Sequence, residues 1–217
     1  MLQFITNAAT ADEIISQCEA VIAGGCRWIQ LRMKNARRED VVSTAKRLKE
    51  LCAKTDTILI VDDLVDVARE LSLDGVHLGK NDMPPMQARQ LLGAETIIGV
   101  TANTVDDIIS CAHLDVDYVG LGPFRYTTTK EKLSPTLGIS GYEDIMNRCA
   151  ELKIRIPTVA IGGICFDDID GIMATGVHGI AVSGSLIRAA DTTAATAAMI
   201  DKLDEILQNK LKAGSKK

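Results

Sequence analysis

The sequence predicts a single (β/α)8 barrel of the α/β class, and three observations indicate this fold. Eight short apolar runs alternate with eight helix-like segments along 217 residues, and strict alternation is typical of a parallel sheet with right-handed crossovers. Each run has the length of a strand that is buried on both faces. Eight such units also fit a compact barrel of about 210 residues. A doubly wound open sheet is the alternative that the same alternation allows.

The predicted strands are the apolar runs themselves. In chain order they are Leu2–Ile5, Trp28–Arg32, Ile58–Val61, Gly75–Leu78, Ile97–Thr101, Tyr118–Leu121, Thr158–Ile161 and Gly179–Val182. Aromatic residues make up only 3% of the chain. We therefore expect a core of aliphatic side chains, as in helices packed on parallel strands.

Helix ends are predicted from capping residues. Thr10 and Glu13 have the spacing of a capping box, and Gly24 with the glycine after it should end that helix. Ser140 and Glu143 predict a second capping box, for the helix after strand six.

Two helices are also predicted from apolar stripes at helical spacing. The expected buried positions are Val41, Ala45, Leu48 and Cys52 in the second helix, and Ile200, Leu203, Leu207 and Leu211 in the last. Residues 213–217 should form a disordered polar tail. Residues 1–212 then remain as one barrel domain.

Composition excludes several classes of protein. Hydrophobic residues are 47% and charged residues 24% of the chain, which is typical of a globular protein. The net charge is −5 with no basic stripe, so we expect no nucleic-acid partner. No apolar run approaches membrane-spanning length, and no signal-peptide pattern is present. Six cysteines without a C-x-x-C motif predict reduced thiols and a cytoplasmic location. A homo-oligomer is left open.

Polar residues recur after the predicted strands, where a barrel places its active site. Asp63 and Asp82 follow neighbouring strands and could share one Mg²⁺ with substrate phosphates; the alternative is that each caps a helix. Arg32, Lys34 and Lys130 supply three cations, which suits a pyrophosphate better than solvated strand ends.

Three further segments predict anion binding. The loop from Gly122 to Lys130 carries three threonines and would wrap pyrophosphate oxygens, or else be an ordinary polar loop. Gly162-Gly163 and Ser183-Gly184-Ser185 follow strands seven and eight, the usual place for a phosphate monoester in a barrel, although simple turn glycines are the alternative. His77 is interpreted as a core histidine. No acid–base pair is evident, so a reaction driven by loss of pyrophosphate is favoured.

These segments resemble the thiamine phosphate synthase family over nearly the whole chain, from Leu2 to Ala189. The motifs that carry the resemblance are Gln30-Leu-Arg-Met-Lys34, Asp74-Gly-Val-His-Leu-Gly79 with Asp82-Met-Pro84, Ile98-Gly-Val-Thr101, Gly122-Pro with Thr127-x-Thr129-Lys130, and Val159-Ala-Ile-Gly-Gly-Ile164. The resemblance implies a barrel enzyme that joins hydroxymethylpyrimidine pyrophosphate to thiazole phosphate and requires Mg²⁺. It implies a dissociative substitution, in which the C–O bond breaks before the thiazole nitrogen attacks.

Roles for individual residues follow from the resemblance alone. It implies catalytic roles for Arg32, Lys34, Thr101 and Lys130 and Mg²⁺ ligation by Asp63 and Asp82. The substrate-binding residues that it implies are Gln30, Arg32, Lys34, Asp62, Thr101, Thr127, Thr129, Lys130, Gly163, Ser183 and Gly184. Small-molecule substrates are thus the expected partners.

Five residues depart from the usual family pattern. They are Asp62 in place of Asn, Leu64 in place of Arg, Thr101 in place of Ser, Asn103 near a usual His, and Gly184 in place of Ser. We expect Asp62 to ligate the metal or to hold one of its ligands.

Three other functions stay open. One is a thiazole tautomerase of the same family, and a second is a binder of thiamine phosphates without catalysis. The third, on fold analogy alone, is a sugar-phosphate epimerase or lyase.

Overall fold

The computed structural model describes residues 1–126 and 135–214. Its eight strands close into one parallel barrel in sequence order, with β1 paired to β8. The strands are β1 Leu2–Ile5, β2 Trp28–Leu31, β3 Ile58–Asp62, β4 Gly75–Leu78, β5 Ile97–Ala102, β6 Tyr118–Leu121, β7 Thr158–Ile161 and β8 Gly179–Val182. The prediction of a (β/α)8 barrel is confirmed, and the open sheet is excluded.

Helices form an outer ring around the strands. They are α1 Ala11–Ala23, α2 Arg38–Ala53, α3 Val65–Leu71, α4 Pro85–Leu92, α5 Val105–Cys111, α6 Gly138–Glu151, α7 Ile169–Ala174, α8 Gly184–Ile187 and α9 Thr192–Gly214. The barrel domain was predicted to end at residue 212, whereas α9 continues through residue 214. No helix in the described ranges is long and apolar enough to cross a membrane.

The first capping box is confirmed and the second is wrong. Thr10 caps α1 through the Glu13 backbone N–H, and the Glu13 side chain returns to the Thr10 N–H. Helix α6 begins at Gly138 instead, so Ser140 lies inside the helix and Leu137 is its N-cap. Thr104 and Asp107 form a capping box at α5 that was not predicted.

The predicted apolar stripes hold for α2 and only partly for α9. All four predicted α2 positions are buried. In α9, Leu203 is 2% exposed, but Leu207 and Leu211 are 36% and 72% exposed. The leucines in the second half of α9 are therefore more exposed than the predicted stripe requires.

The hydrophobic core has two layers. The larger one lies between the strands and the surrounding helices. The smaller one fills the barrel interior with inward-facing strand residues: Ile5, Trp28, Ile60, Tyr118, Val159 and Ala181.

Glycine on β5 makes room for two ring systems in this interior. Gly99 pairs with His77 on one side and with Tyr118 on the other. A Cβ at Gly99 would lie 2.2 Å from the Tyr118 ring. Without that side chain, His77 and Tyr118 contact each other, with ring centroids 5.5 Å apart.

Candidate active site

Parallel strands bring their carboxyl ends to one rim of the barrel, and the predicted polar residues of the described ranges converge there. Asp62 is the centre of the first group. Its Oδ1 accepts a hydrogen bond from Gln30 Nε2 at 2.5 Å, and its Oδ2 lies 3.2 Å from Arg32 Nε. Asp62 therefore holds Gln30 and Arg32, and all three are predicted substrate-binding residues.

Thr6 was missed by sequence reasoning, yet it fixes the backbone of Arg32. The Thr6 Oγ1 accepts from Arg32 N at 2.9 Å and donates to Arg32 O at 3.0 Å. Thr6 is fully buried just beyond β1. The signal available in the sequence was a threonine directly after the apolar run Leu2–Ile5.

The strand before Arg32 is shorter than predicted. Strand β2 ends at Leu31, and Lys34 lies in an exposed turn rather than on extended backbone. The alternation argument that aligned Arg32 with Lys34 therefore does not apply, although both residues remain at the rim.

Asp63 and Asp82 are neighbours, as the metal hypothesis requires. The Asp63 side chain is exposed at the rim, but the surrounding protein, the charge of Asp62 and a hydrogen-bonding contact with Asp82 raise the pKa of its carboxyl group well above the usual range. Neither aspartate caps a helix, because α3 and α4 have Leu64 and Pro84 at their N-caps with no side-chain cap bond. The helix-cap alternative is therefore wrong.

The donor set of this pair fits a hard cation. Carboxylate oxygens are the ligands that Mg²⁺ prefers, and Mg²⁺ needs only one or two of them when phosphate and water complete its shell. No cluster of three or more His, Cys, Asp or Glu side chains with metal geometry occurs in the described ranges. A cation here would depend on the substrate for further ligands.

His77 and Thr101 form the next contact along the rim. The prediction of a core histidine is confirmed: His77 is 7% exposed, with Nδ1 2.9 Å from the Tyr118 hydroxyl and Nε2 3.0 Å from Thr101 Oγ1. Thr101 is only partly buried, at the end of β5. A buried histidine thus contacts a predicted catalytic residue.

Asn103 explains one departure from the family pattern. Its Nδ2 donates to Gly122 O at 2.5 Å and so binds the segment that follows β6. Asp107 accepts from Asn103 N at 2.8 Å and pairs with Lys80 at 2.7 Å. These contacts join the loops after β4, β5 and β6.

Both ends of the long segment after β6 are anchored, and we call these ends the loop stems, residues 122–126 and 135–138. Leu137 N donates to Pro123 O at 2.9 Å, and Gly138 N donates to Phe124 O at 3.0 Å. Arg125 binds both carboxylate oxygens of Asp168, at 2.7 and 2.8 Å. The predicted pyrophosphate ligands Thr127, Thr129 and Lys130 lie outside the described residues.

The predicted phosphate subsite lies after β7 and β8. Gly163 has a φ of 68°, and a Cβ there would lie 2.5 Å from Arg125 Cγ, so only glycine fits. Ser183 Oγ and Ser185 Oγ are buried and have no hydrogen-bond partner in the described part of the chain. Buried hydroxyls without partners are costly, so they indicate a place for an oxyanion or water.

Gly184 lies against the side chain of Arg188. The guanidinium of Arg188 lies over it, and a Cβ at Gly184 would be 2.3 Å from Arg188 Nη1. The family's usual serine would require that side chain to move. Because Nη1 is the end of a flexible side chain, such a movement would cost little.

Two grooves in the described ranges lie away from this rim. One of about 400 Å³ lies between α3 and α4, next to Met83 and Leu91, and one of about 300 Å³ lies at the amino end of β3, next to Cys52 and Asp56. Neither contains any of the converging residues. The candidate site is therefore assigned from the polar groups at the rim.

Comparison with known proteins shows the family of this chain. The family model described as "Thiamine monophosphate synthase" matches residues 2–186. A protein of Bacteroides thetaiotaomicron named thiamine-phosphate synthase is 51% identical over 90% of this chain and 93% of its own length. One from Bacteroides fragilis with the same name is 52% identical over 88% and 93%.

Solved structures show the same fold. Thiamine phosphate pyrophosphorylase from Pyrococcus furiosus superimposes with a TM-score of 0.82 at 33% identity, covering 95% of this chain and 96% of that one. A 3-hexulose-6-phosphate synthase superimposes with a TM-score of 0.67 at 18% identity, over 91% and 97%. At that identity the second likeness shows the barrel fold alone.

Proposed function

Because the chain belongs to the thiamine monophosphate synthase family, we propose that it joins 4-amino-2-methyl-5-pyrimidinylmethyl diphosphate to thiazole phosphate. The relatives at about half identity carry the name of this synthase, so the chain is a transferase of thiamine biosynthesis. The observation that carries the proposal is the meeting of Gln30, Arg32 and Asp62 at the same rim as the Asp63–Asp82 pair.

The reaction is a substitution at the pyrimidinylmethyl carbon. The C–O bond to the diphosphate breaks, and its electron pair leaves with pyrophosphate. The lone pair of the thiazole nitrogen then forms the new C–N bond, which yields thiamine phosphate without a proton transfer. This chemistry needs charge stabilisation and alignment, which a cationic rim supplies without a general base.

The residues at the rim divide between the two halves of the pyrimidine substrate. Arg32, held by Asp62 and Thr6, and Lys34 bind the diphosphate, and Gln30 contacts the pyrimidine. Thr127, Thr129 and Lys130 are proposed to complete the diphosphate site. Asp63 and Asp82 would hold Mg²⁺, which when bound neutralises charge on the departing pyrophosphate.

The thiazole phosphate is proposed to bind after β7 and β8. Among the described residues, the hydroxyls of Ser183 and Ser185 have no hydrogen-bond partner, and Arg188 lies over Gly184. Together with the backbone at Gly163, they provide donors and one cation for a phosphate monoester. A separate phosphate subsite fits a reaction with two phosphorylated substrates.

A tautomerase is favoured less by the same geometry. Tautomerisation needs a residue that shuttles a proton, whereas His77 is buried in the barrel interior with both ring nitrogens in hydrogen bonds.

The compartment and the assembly state complete the proposal. We place the enzyme in the cytoplasm, because none of its six cysteines forms a disulfide and four of them are buried. A homo-oligomer remains a prediction, to be tested by light scattering.

Release of pyrophosphate and formation of thiamine phosphate test the function directly. The wild-type protein with both substrates and Mg²⁺ should form the two products in equal amounts, and Asp63→Ala should lose at least about a hundredfold in rate, because it removes a carboxylate from the metal site. Asp12→Ala, on the exposed face of α1, is the control. Tight binding of either substrate without turnover would favour the non-catalytic binder.

A further inference from the structure

A chain of polar side chains crosses the hydrophobic interior of the barrel. Gln3, Gln30, His77 and Tyr118 are 2%, 3%, 7% and 3% exposed. Buried polar groups of this kind are costly unless each is hydrogen-bonded. The proposed chemistry uses only Gln30 of these four, so the other three require a separate explanation.

The direction of these hydrogen bonds follows from Asp62. Its carboxylate contacts Gln30 Nε2 and Arg32 Nε, so it accepts in both contacts. With its amide nitrogen on Asp62, Gln30 presents Oε1 to Gln3 Nε2 at 3.2 Å. Gln3 Nε2 therefore donates, and it also donates to the Tyr118 hydroxyl at 3.1 Å.

The Tyr118 hydroxyl determines the direction of the next hydrogen bond, the one to His77. Burial raises the pKa of Tyr118, so its hydroxyl keeps its proton. The hydroxyl accepts from Gln3, and His77 Nδ1 at 2.9 Å is the acceptor within reach for its own proton. His77 Nδ1 is then unprotonated, and the neutral ring carries its proton on Nε2.

The chain ends at a predicted catalytic hydroxyl. His77 Nε2–H donates to Thr101 Oγ1 at 3.0 Å, so Thr101 is the acceptor in that contact. In the described ranges the Thr101 hydroxyl makes no hydrogen bond besides the one with His77. That proton is therefore available to a ligand at the rim.

We propose that Gln3, Tyr118 and His77 are positioning residues, which hold Thr101 as a hydrogen-bond donor to the pyrimidine diphosphate. Asp62 sets the direction of the hydrogen bonds from the end of the chain that is remote from Thr101. An asparagine at residue 62 could turn either its oxygen or its nitrogen toward Gln30, whereas an aspartate offers only oxygen. The inference rests on the proposed function, because it assigns Thr101 a partner in that reaction.

Tyr118→Phe tests the proposal, because it removes one oxygen and keeps the ring that packs against Trp28 at 4.8 Å. We expect kcat to fall about tenfold, the effect of one hydrogen bond of about 1.4 kcal/mol, with KM for thiazole phosphate unchanged. In a Thr101→Val background, the same substitution should have no further effect on kcat. Equal losses in both backgrounds would show that Tyr118 acts only through stability, and would overturn the proposal.

The tautomer of His77 provides a readout independent of turnover. The chain has three histidines, so ¹⁵N NMR with one His→Gln variant at a time can assign each ring. Wild-type His77 should show an unprotonated Nδ1 and a protonated Nε2, and Tyr118→Phe should shift the Nδ1 resonance. A protonated Nδ1 in the wild type would overturn the proposal whatever the activity.

A matched control and a second variant complete the design. Tyr142 is another fully buried tyrosine, whose hydroxyl donates to Leu121 O outside the polar chain. Tyr142→Phe should leave the His77 resonances unchanged. If Tyr118→Phe does not fold, Gln3→Met interrupts the same chain one step earlier.

The two hypotheses can fail separately. If the wild type forms no product, the proposed function fails. The tautomer of His77 then still shows whether the hydrogen bonds run in the proposed direction.

Discussion

Adjacent carboxylates with different tasks are the main feature at the scale of single residues. Asp62 ends β3 with its side chain bonded to Gln30 and Arg32, whereas Asp63 lies beside Asp82 with a φ of 62°. Successive strand residues point to opposite sides, and the left-handed backbone at Asp63 ends that alternation. Sequence reasoning identified both residues from motifs, but it could not identify the bonds of Asp62, because these depend on side chains from another strand.

The raised pKa of Asp63 predicts a pH-dependent effect of its substitution. A raised pKa means that the folded protein holds the proton more tightly than the unfolded chain, so ionised Asp63 lowers the free energy of unfolding as pH rises from about 4. Asp63→Asn should therefore raise the melting temperature of the metal-free protein at pH 8, with the difference vanishing near pH 4. Thermal melts across this range would measure it.

The control for this experiment is Asp56→Asn. Asp56 has a similar left-handed backbone, with a φ of 49°, but lies before β3 at the other end of the barrel. An equal gain from Asp63→Asn at both pH values would contradict the electrostatic explanation and would instead favour a local backbone effect.

At the scale of elements, strand positions could be predicted to within one residue at each end. Short apolar runs bounded by polar residues define a strand that is buried on both faces. Helix α6 was harder, because its start depends on contacts remote in sequence: Leu137 and Gly138 bond back to Pro123 and Phe124. A capping spacing at Ser140 carries no information about those contacts.

The two predicted capping boxes give a matched pair of variants. Thr10→Ala should lower the free energy of unfolding by about 1 kcal/mol, because it removes the hydroxyl that accepts from Glu13 N. Ser140→Ala, at an exposed position inside α6, should change it by less than about 0.5 kcal/mol. Urea unfolding of both variants measures the difference. A loss at Ser140 as large as that at Thr10 would contradict the helix start at Gly138.

At the scale of the whole molecule, closure of the barrel creates an interior whose polar contacts could not be predicted from the sequence. The outer core follows from apolar periodicity, whereas the polar chain inside the strands does not. Its signals were the inward-facing Gln3 and the glycine at residue 99, which borders both His77 and Tyr118. Three-dimensional register was needed to connect them.

The tight packing around Gly99 predicts that adding one methyl group there lowers the free energy of unfolding. Gly99→Ala would place a methyl group 2.2 Å from the Tyr118 ring, so it should lower the free energy of unfolding by about 1–3 kcal/mol and reduce turnover. Gly171→Ala is the control, because its added methyl group meets only the tip of Ile139 at 3.1 Å, inside helix α7. Denaturation midpoints and initial rates of the two variants would be compared. Equal stability of both would contradict the tight contact at Gly99.

The loop stems have a consequence for protein engineering. Their two ends are hydrogen-bonded to each other, and contacts with Asn103 and Asp168 fasten them to the barrel on either side. The two stems would therefore hold the ends of any segment that replaces residues 127–134. Exchanging that segment for the corresponding one of a relative should leave the strand register of the barrel unchanged.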